Sequence, residues 1–365
     1  MQTRREFLAR SISAPAAVSP LAGCSGTDMD DYEEAAARLR AARAEDSDVA
    51  ALIRFATLAP NGHNTQPWRF AIADPGVAIL PDLSRRTPIV DPDDHHLYVS
   101  LGCAAETLAI AAAAHGRRGT VAFDEAGDGR VVVELGRGPA RAGALYGAIP
   151  ARQSTRSDYD GRKVSAEDLK RLETAAASEG VSVALITDDA RRAAFLDYVV
   201  AGNSAQMDDP AFVRELKDWL RFNPAEALRT GDGLFSACSG HPTMPTWIGR
   251  TLLGWFLDKD TENEKYAGQL RSSAGVAVFI GDAADRDHWV RVGRSFQRFA
   301  LQATALGIRH AHVNQPVEVP SVRSEFAHWL GVGDRRPDLV VRFGYAPPLP
   351  MSMRRPVEAV IVAAD

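Results

Sequence analysis

The residues Arg152-Gln153-Ser154-Thr155-Arg156 place two guanidinium groups around a hydroxyl. In an extended chain this alternation sends Arg152, Ser154 and Arg156 to one side. Such a set suits a phosphate, whose charge of about −1.5 to −2 calls for guanidinium forks and a hydroxyl donor at close quarters. A solvated arginine-rich linker would read the same way. A second cluster, Pro60-Asn61-Gly62-His63-Asn64-Thr65-Gln66, is dense in turn formers and side-chain amides, and Trp68 follows it. It predicts a helix-to-strand loop. The pair Arg354-Arg355 near the C-terminus is either a returning anion contact or a basic exposed tail. No catalytic side chain stands out. His63, His241, His310 and His312 lack metal-ligand spacing, and Asp93-Asp94-His95-His96 reads as a polar helix entrance, so no metal is expected. Cys103 should be an inert buried thiol, Cys238 sits in a loop open to exposure, and Asp232 between two glycines reads as a turn.

These groups must be held by elements that the hydrophobic pattern outlines. Helix is expected from Asp30 to Arg43, then in a second segment capped by Ser47 and ended by Pro60. Trp68–Ala73 and Val77–Leu80 alternate as strands. A long small-residue helix covers about Leu97 to His115 and closes at Gly116, and Val131–Leu135 is a strand. After a Gly/Pro joint at 137–141, Ser165 starts a helix with Asp168 in a variant capping box. Strands follow at Val181–Ile186, Val276–Ile280 and Leu339–Gly344, with helices over 188–206, 210–221 and His288–Leu306. The last of these closes at Gly307, and residues 231–245 form a long loop. Gly102 to Gly116 and Gly293 to Gly307 repeat one spacing inside the two long helices, a hint of duplication.

The string from Ala59 to Phe70 resembles the A-P-S-x-x-N-x-Q-P-W-x-F segment of the nitroreductase superfamily, with Asn61 where that family most often has Ser. Arg152 to Arg156 resembles its R-x-S-x-R motif, and Arg342-Phe343-Gly344-Tyr345-Ala346 with Arg354-Arg355-Pro356 resembles its closing block. The resemblance implies an FMN site. Pro60, Asn61, Gly62, Asn64 and Gln66 would lie at the flavin, Arg152, Ser154 and Arg156 at its phosphate and ribityl chain, and Gly344 with Arg354 or Arg355 at the returning C-terminal block. The motif order is similar to the Acg-type branch, in which one chain imitates the usual dimer. The implied fold is α+β, nitroreductase-like, with two related halves forming a pseudo-dimer of mixed sheets around long central helices. The halves would span 47–140 and 141–365, with a lid at 200–250. The implied activity is FMN-dependent, ping-pong reduction of nitroaromatic, quinone or related acceptors, with NAD(P)H as donor. The alternative is a flavoprotein that sequesters FMN without turnover. The chain would be a monomer imitating a dimer, or a homodimer.

The N-terminus carries Arg4-Arg5-Glu6-Phe7-Leu8, a mildly apolar stretch, and Leu21-Ala22-Gly23-Cys24. It resembles a twin-arginine export signal ending in a lipobox over residues 1–24, with a tether and first helix over 25–46. That implies handling by the twin-arginine machinery, lipidation at Cys24 and a periplasmic or cell-envelope location. The full chain of 365 residues has a net charge of −5 and 24% charged residues. Arginine is interspersed with acid, unlike the concentrated basic face of a nucleic-acid binder. Three cysteines are too few and too scattered for a disulfide framework or a zinc site. No G-x-G-x-x-G fingerprint follows a strand, so no separate dinucleotide domain is expected.

Overall fold

The computed structural model describes residues 28–41, 48–256 and 258–363. The expected signal with Cys24, and most of the tether, lie outside them. Helix α1 (Met29–Arg40) is capped by Asp28, whose carboxylate accepts from Asp31 N at 3.0 Å. Helix α2 (Val49–Thr57) begins after Asp48, which takes the N-cap position expected of Ser47.

Four strands of the first half, β1 (Trp68–Ala73), β2 (Gly76–Pro81), β3 (Arg117–Asp124) and β4 (Arg130–Arg137), form an antiparallel sheet in the order β1-β2-β4-β3. Helix α3 (His95–Ala114) lies in sequence between β2 and β3. The second half repeats this plan. Its strands β5 (Val181–Ile186), β6 (Gly275–Gly281), β7 (Arg309–His312) and β8 (Pro337–Gly344) pair antiparallel in the order β5-β6-β8-β7. Its long helix (Arg286–Ala305) again lies between the second and third strands. Identical strand order around an identically inserted helix establishes two related halves. The C-terminal arm then leaves the second half and adds β9 (Ile361–Val362) in parallel to β1.

The two central helices cross where each lacks a side chain. A Cβ on Gly102 would collide with the carbonyl oxygen of Val290, and one on Gly293 with that of Val99. Val99 precedes Gly102 by three residues as Val290 precedes Gly293, so the contact is twofold-like. The glycine echo in the sequence is therefore the close approach of two backbones. Around it, Gln297 Nε2 donates to Thr107 Oγ1 at 2.8 Å and Cys103 Sγ to the Gly293 carbonyl at 3.1 Å. Arg294 and Arg298 both reach the buried Glu106. By length and apolar character α3 could cross a membrane. Its sides are covered by both halves, and it is the centre of the core.

The segment between β5 and β6 holds α4 (Asp189–Met207), α5 (Pro210–Trp219) and α6 (Lys259–Arg271). The loop expected over 231–245 contains a short strand, Leu234–Phe235, paired in parallel with Leu220–Arg221. Asp232 is more than a turn residue. It ion-pairs with Arg85 and, at 2.7 Å, with Arg221, tying this segment to the first half. Cys238 is buried rather than open, its sulfur 3.4 Å from the Tyr32 hydroxyl.

Candidate functional site

Helix α2 ends at Thr57, shortly before Pro60, which has no N–H to continue it. The chain then turns through His63 (φ 48°), Asn64 (φ 54°) and Gln66 (φ 55°), three non-glycine residues in the left-handed region. Such backbone is costly and persists only where its surroundings fix it. Here the fixing is visible. Asn61 Oδ1 accepts from Gln66 N at 2.8 Å, while Asn64 Nδ2 donates to Gly233 O at 3.0 Å and Gln66 Nε2 to Gly231 O at 2.8 Å.

The arginine segment leaves a short helical turn at Ile149–Ala151 and runs extended beside β7, with Ser154 bridging His310 and Thr155 N donating to His310 O at 2.9 Å. Arg342, fully buried on β8, holds it from behind by donating to Ser157 O at 2.8 Å.

Loop and arginine segment meet. One cavity of about 230 Å³ is lined by Pro60, Gly62, His63, Arg156, Phe296 and His312, among others. A smaller chamber of about 50 Å³ is lined by Arg40, Asn64, Arg152, Ser154, Arg156 and Arg354. Pro60, Asn61, Arg156, Leu234 and His312 border both.

The small chamber gathers four guanidinium groups and no carboxylate. Arg152 donates to Leu58 O at 2.9 Å, yet its buried Nε and Nη1 find no partner. The Arg156 guanidinium has no protein partner among the described residues. Burial lowers Arg156 below the usual guanidinium range and Arg152 to about 10, with Arg40 nearby pushing Arg152 further. Cations left buried and unpaired are expensive. A dianionic group entering the chamber would satisfy them, so the residues present fit a phosphate. Arg40 was not visible from the sequence, where it looks like any surface arginine of an amphipathic helix.

Four expected site residues serve the scaffold. Gln66 is fully buried, donating to Gly231 O and accepting from Arg355 N, which leaves nothing to aim at a ligand. Arg355 donates to the Gln66 and Trp68 carbonyls and faces Asp82, away from the cavity. Gly344 packs under the Tyr159 ring, where a Cβ has no room, and borders neither chamber. Of the arginine pair it is Arg354 that reaches the chamber. Even so, its donors go to Thr57 O, Ala59 O and Asn64 Oδ1 at 2.6, 3.1 and 2.9 Å, so it clamps the end of α2 to the loop.

The larger cavity has a polar wall whose residues lie far apart in the chain. Asp91 accepts from the His96 and Leu97 amides at 3.0 Å each, capping α3. Asp91, His95 and His96 bring potential ligand atoms within 4.8 Å of one another. His63 and His310 are held neutral by burial, at about 4 and about 3.

No family model matches the chain. The curated relatives it matches do so along nearly their whole length. It is 27% identical over 328 residues, 86% of this chain and 90% of the relative, to the Mycobacterium tuberculosis H37Rv protein named "Putative NAD(P)H nitroreductase Rv3131". It is 24% identical over 331 residues, 86% of this chain and 94% of the relative, to "Putative NAD(P)H nitroreductase acg" from the same organism. The chain is similar to both of these proteins over most of its length. Solved structures similar to it include the FMN-dependent nitroreductase NfnB of Mycobacterium smegmatis in complex with NADPH. That match has a TM-score of 0.37 and 16% identity, covering 56% of this chain and 87% of that one. Another is a nitroreductase with bound FMN from Desulfitobacterium hafniense (TM-score 0.37, 15% identity, 62% and 100% covered).

Proposed function

We propose that this chain is an FMN-dependent oxidoreductase of nitroreductase type, reducing nitroaromatic, quinone or related acceptors with NAD(P)H as donor. One observation carries the reading: a chamber lined by Arg152, with unpartnered buried guanidinium nitrogens, and by Arg156 shares its border with the cavity under the strained loop. Arg152, Ser154 and Arg156 would hold the phosphate, with Arg40 and Arg354 adding positive potential. Pro60, Asn61, Gly62 and Asn64 would border the flavin, the loop's backbone polar groups being fixed in advance by the bonds to Gly231 and Gly233. Bound FMN would supply hydride acceptance and donation; the protein would supply position, a positive field and exclusion of water. Donor and acceptor would use one cavity in turn, which is ping-pong behaviour.

A visible absorption spectrum of the native protein tests the reading, followed by anaerobic addition of NADH or NADPH. A yellow protein bleached by either supports it. A colourless chain that ignores added FMN removes it. The second reading, FMN storage without turnover, is favoured by the cover over the cavity. Phe212, Leu216 and Leu234 line it, and the Arg85–Asp232–Arg221 ion pairs anchor that cover. Reduction by dithionite but not by nicotinamide would select storage.

The proposal includes export with a lipid anchor on Cys24, checked by mass spectrometry of the membrane fraction for an acylated Cys24 peptide. It also includes one flavin per chain and a monomer in solution, checked by flavin stoichiometry and light scattering.

A further inference from the structure

The two chambers meet at Pro60, Asn61, Arg156, Leu234 and His312, which border both. Whatever joins a phosphate in the small chamber to a ring in the larger cavity must pass between these residues. In FMN that link is the ribityl chain, a run of hydroxyl-bearing carbons. Pro60 and Leu234 have no polar side-chain atom. Asn61 is committed within its own loop: Oδ1 accepts from Gln66 N at 2.8 Å and Nδ2 donates to Ala59 O at 3.3 Å. Arg156 carries the charge that suits the phosphate. His312 is the remaining polar side chain of the five, and its Nδ1 is buried without a hydrogen-bond partner.

The sheet fixes where this imidazole stands. His312 ends β7 opposite Val341 of β8, and the next residue, Val313, donates its N–H to Val340 O at 3.0 Å. Phe296, from the long helix of the second half, meets the ring edge-on with centroids 5.0 Å apart. The arginine segment runs parallel to β7 with Ser154 level with His310. Two residues further along both chains, Arg156 comes level with His312. Burial first, and then the neighbouring His310 and Arg156, hold the imidazole neutral. A neutral imidazole offers one donor and one acceptor, which matches a hydroxyl and not a dianion.

We propose that His312 is a flavin-binding residue that hydrogen-bonds the ribityl chain between the phosphate chamber and the ring cavity. The inference rests on the flavoenzyme reading and divides its site into three parts. Arg152 and Arg156 take the phosphate, His312 takes the sugar-alcohol chain, and the strained loop borders the ring.

Three flavins separate those parts: FMN, riboflavin, which lacks the phosphate, and lumiflavin, which lacks phosphate and ribityl chain alike. The full chain, stripped of bound flavin, is titrated with each by flavin fluorescence, as wild type, His312→Phe and His312→Gln. Phenylalanine keeps a ring against Phe296 and removes both nitrogens, whereas glutamine restores a group that donates and accepts. His312→Phe should weaken FMN and riboflavin alike, by about three- to tenfold, the worth of one neutral hydrogen bond. Lumiflavin should stay within about twofold, and His312→Gln should recover most of the loss. Unchanged FMN and riboflavin affinity in His312→Phe overturns the proposal. So does an equal loss for lumiflavin, which marks altered packing of the ring cavity, or a loss confined to FMN, which puts His312 at the phosphate. If the phenylalanine variant does not fold, the wild type labelled with nitrogen-15 decides. Its His312 signal should move with riboflavin and stay in place with lumiflavin, and a response to both or to neither is fatal. A wild type that binds none of the three flavins sinks the flavoenzyme reading itself, whereas normal wild-type binding with an indifferent variant sinks the His312 contact alone.

Discussion

Arg152 and Arg156 reach one chamber but should fail differently when removed. The Arg156 guanidinium has no hydrogen-bond partner among the described residues, so Arg156→Ala should weaken FMN binding by about 1.5–3 kcal/mol, one to two orders of magnitude in Kd, with little change in melting temperature. Arg152 also satisfies Leu58 O, so Arg152→Ala should weaken binding by a similar amount and destabilise the fold as well. Flavin fluorescence titration beside thermal melts checks both, and unchanged affinity in the two variants removes the phosphate assignment. Arg354→Ala should act mainly on the fold. Freeing the buried Thr57, Ala59 and Asn64 acceptors should cost about 3 kcal/mol or more in chemical denaturation. At this scale the sequence was informative where a ligand contact lies in a short run, as in Arg152–Arg156. It misled where a polar residue of the motif bonds the chain itself, as Gln66 and Arg355 do. It was silent on Arg40, Asp91 and Glu318, which join the site only because α1, α3 and the β7–β8 connection converge on it.

The crossing of the two central helices is the element on which both halves depend. Gly102→Ala or Gly293→Ala places a methyl against the facing carbonyl, so the helices must separate. Each should destabilise by about 2 kcal/mol or more, toward the upper end of overpacking costs, because the obstacle is backbone and not a side chain that can turn away. The double variant should cost less than the sum, since one separation relieves both contacts; urea denaturation of the four proteins measures this directly. Additive losses would mean that the contacts are independent. Both long helices were legible because their apolar residues and closing glycines are local signals. Strand β3 was not: Arg118, Thr120 and Ala122 are exposed, no residue of it is fully buried, and it opens on two arginines and a glycine. Helix α6 escaped for a similar reason, as Lys259–Arg271 is almost wholly polar and is recognisable only by Asp258 capping Thr261 N. Pairing and packing fix these elements, and neither is written in a short window.

Across the whole molecule, buried histidines set the response to acid. His310 is held at about 3 and His63 at about 4 by burial, against about 6.5 in an unfolded chain. As pH falls below 6.5 the unfolded state binds these protons first, so their contribution to stability, full above 6.5, is lost towards the folded values. Asp91 and Asp338, raised to about 7, act in the opposite direction: their contribution is greatest in acid and is lost as pH rises through 7. The terms partly cancel in the wild type, so the clean measurement is a difference. His310→Phe should gain on the wild type by up to about 1.4 kcal/mol per pH unit between pH 6 and 4 in denaturant melts. A pH-independent gap would show that His310 titrates normally. The joined halves have one more consequence. In a twofold assembly every substitution is felt twice, so no wall of a pocket can change without its mirror changing too. Here the strand order repeats while the loops need not, which leaves each half free to drift alone: the second can carry both the anion contacts and the cover while the first keeps the strained loop.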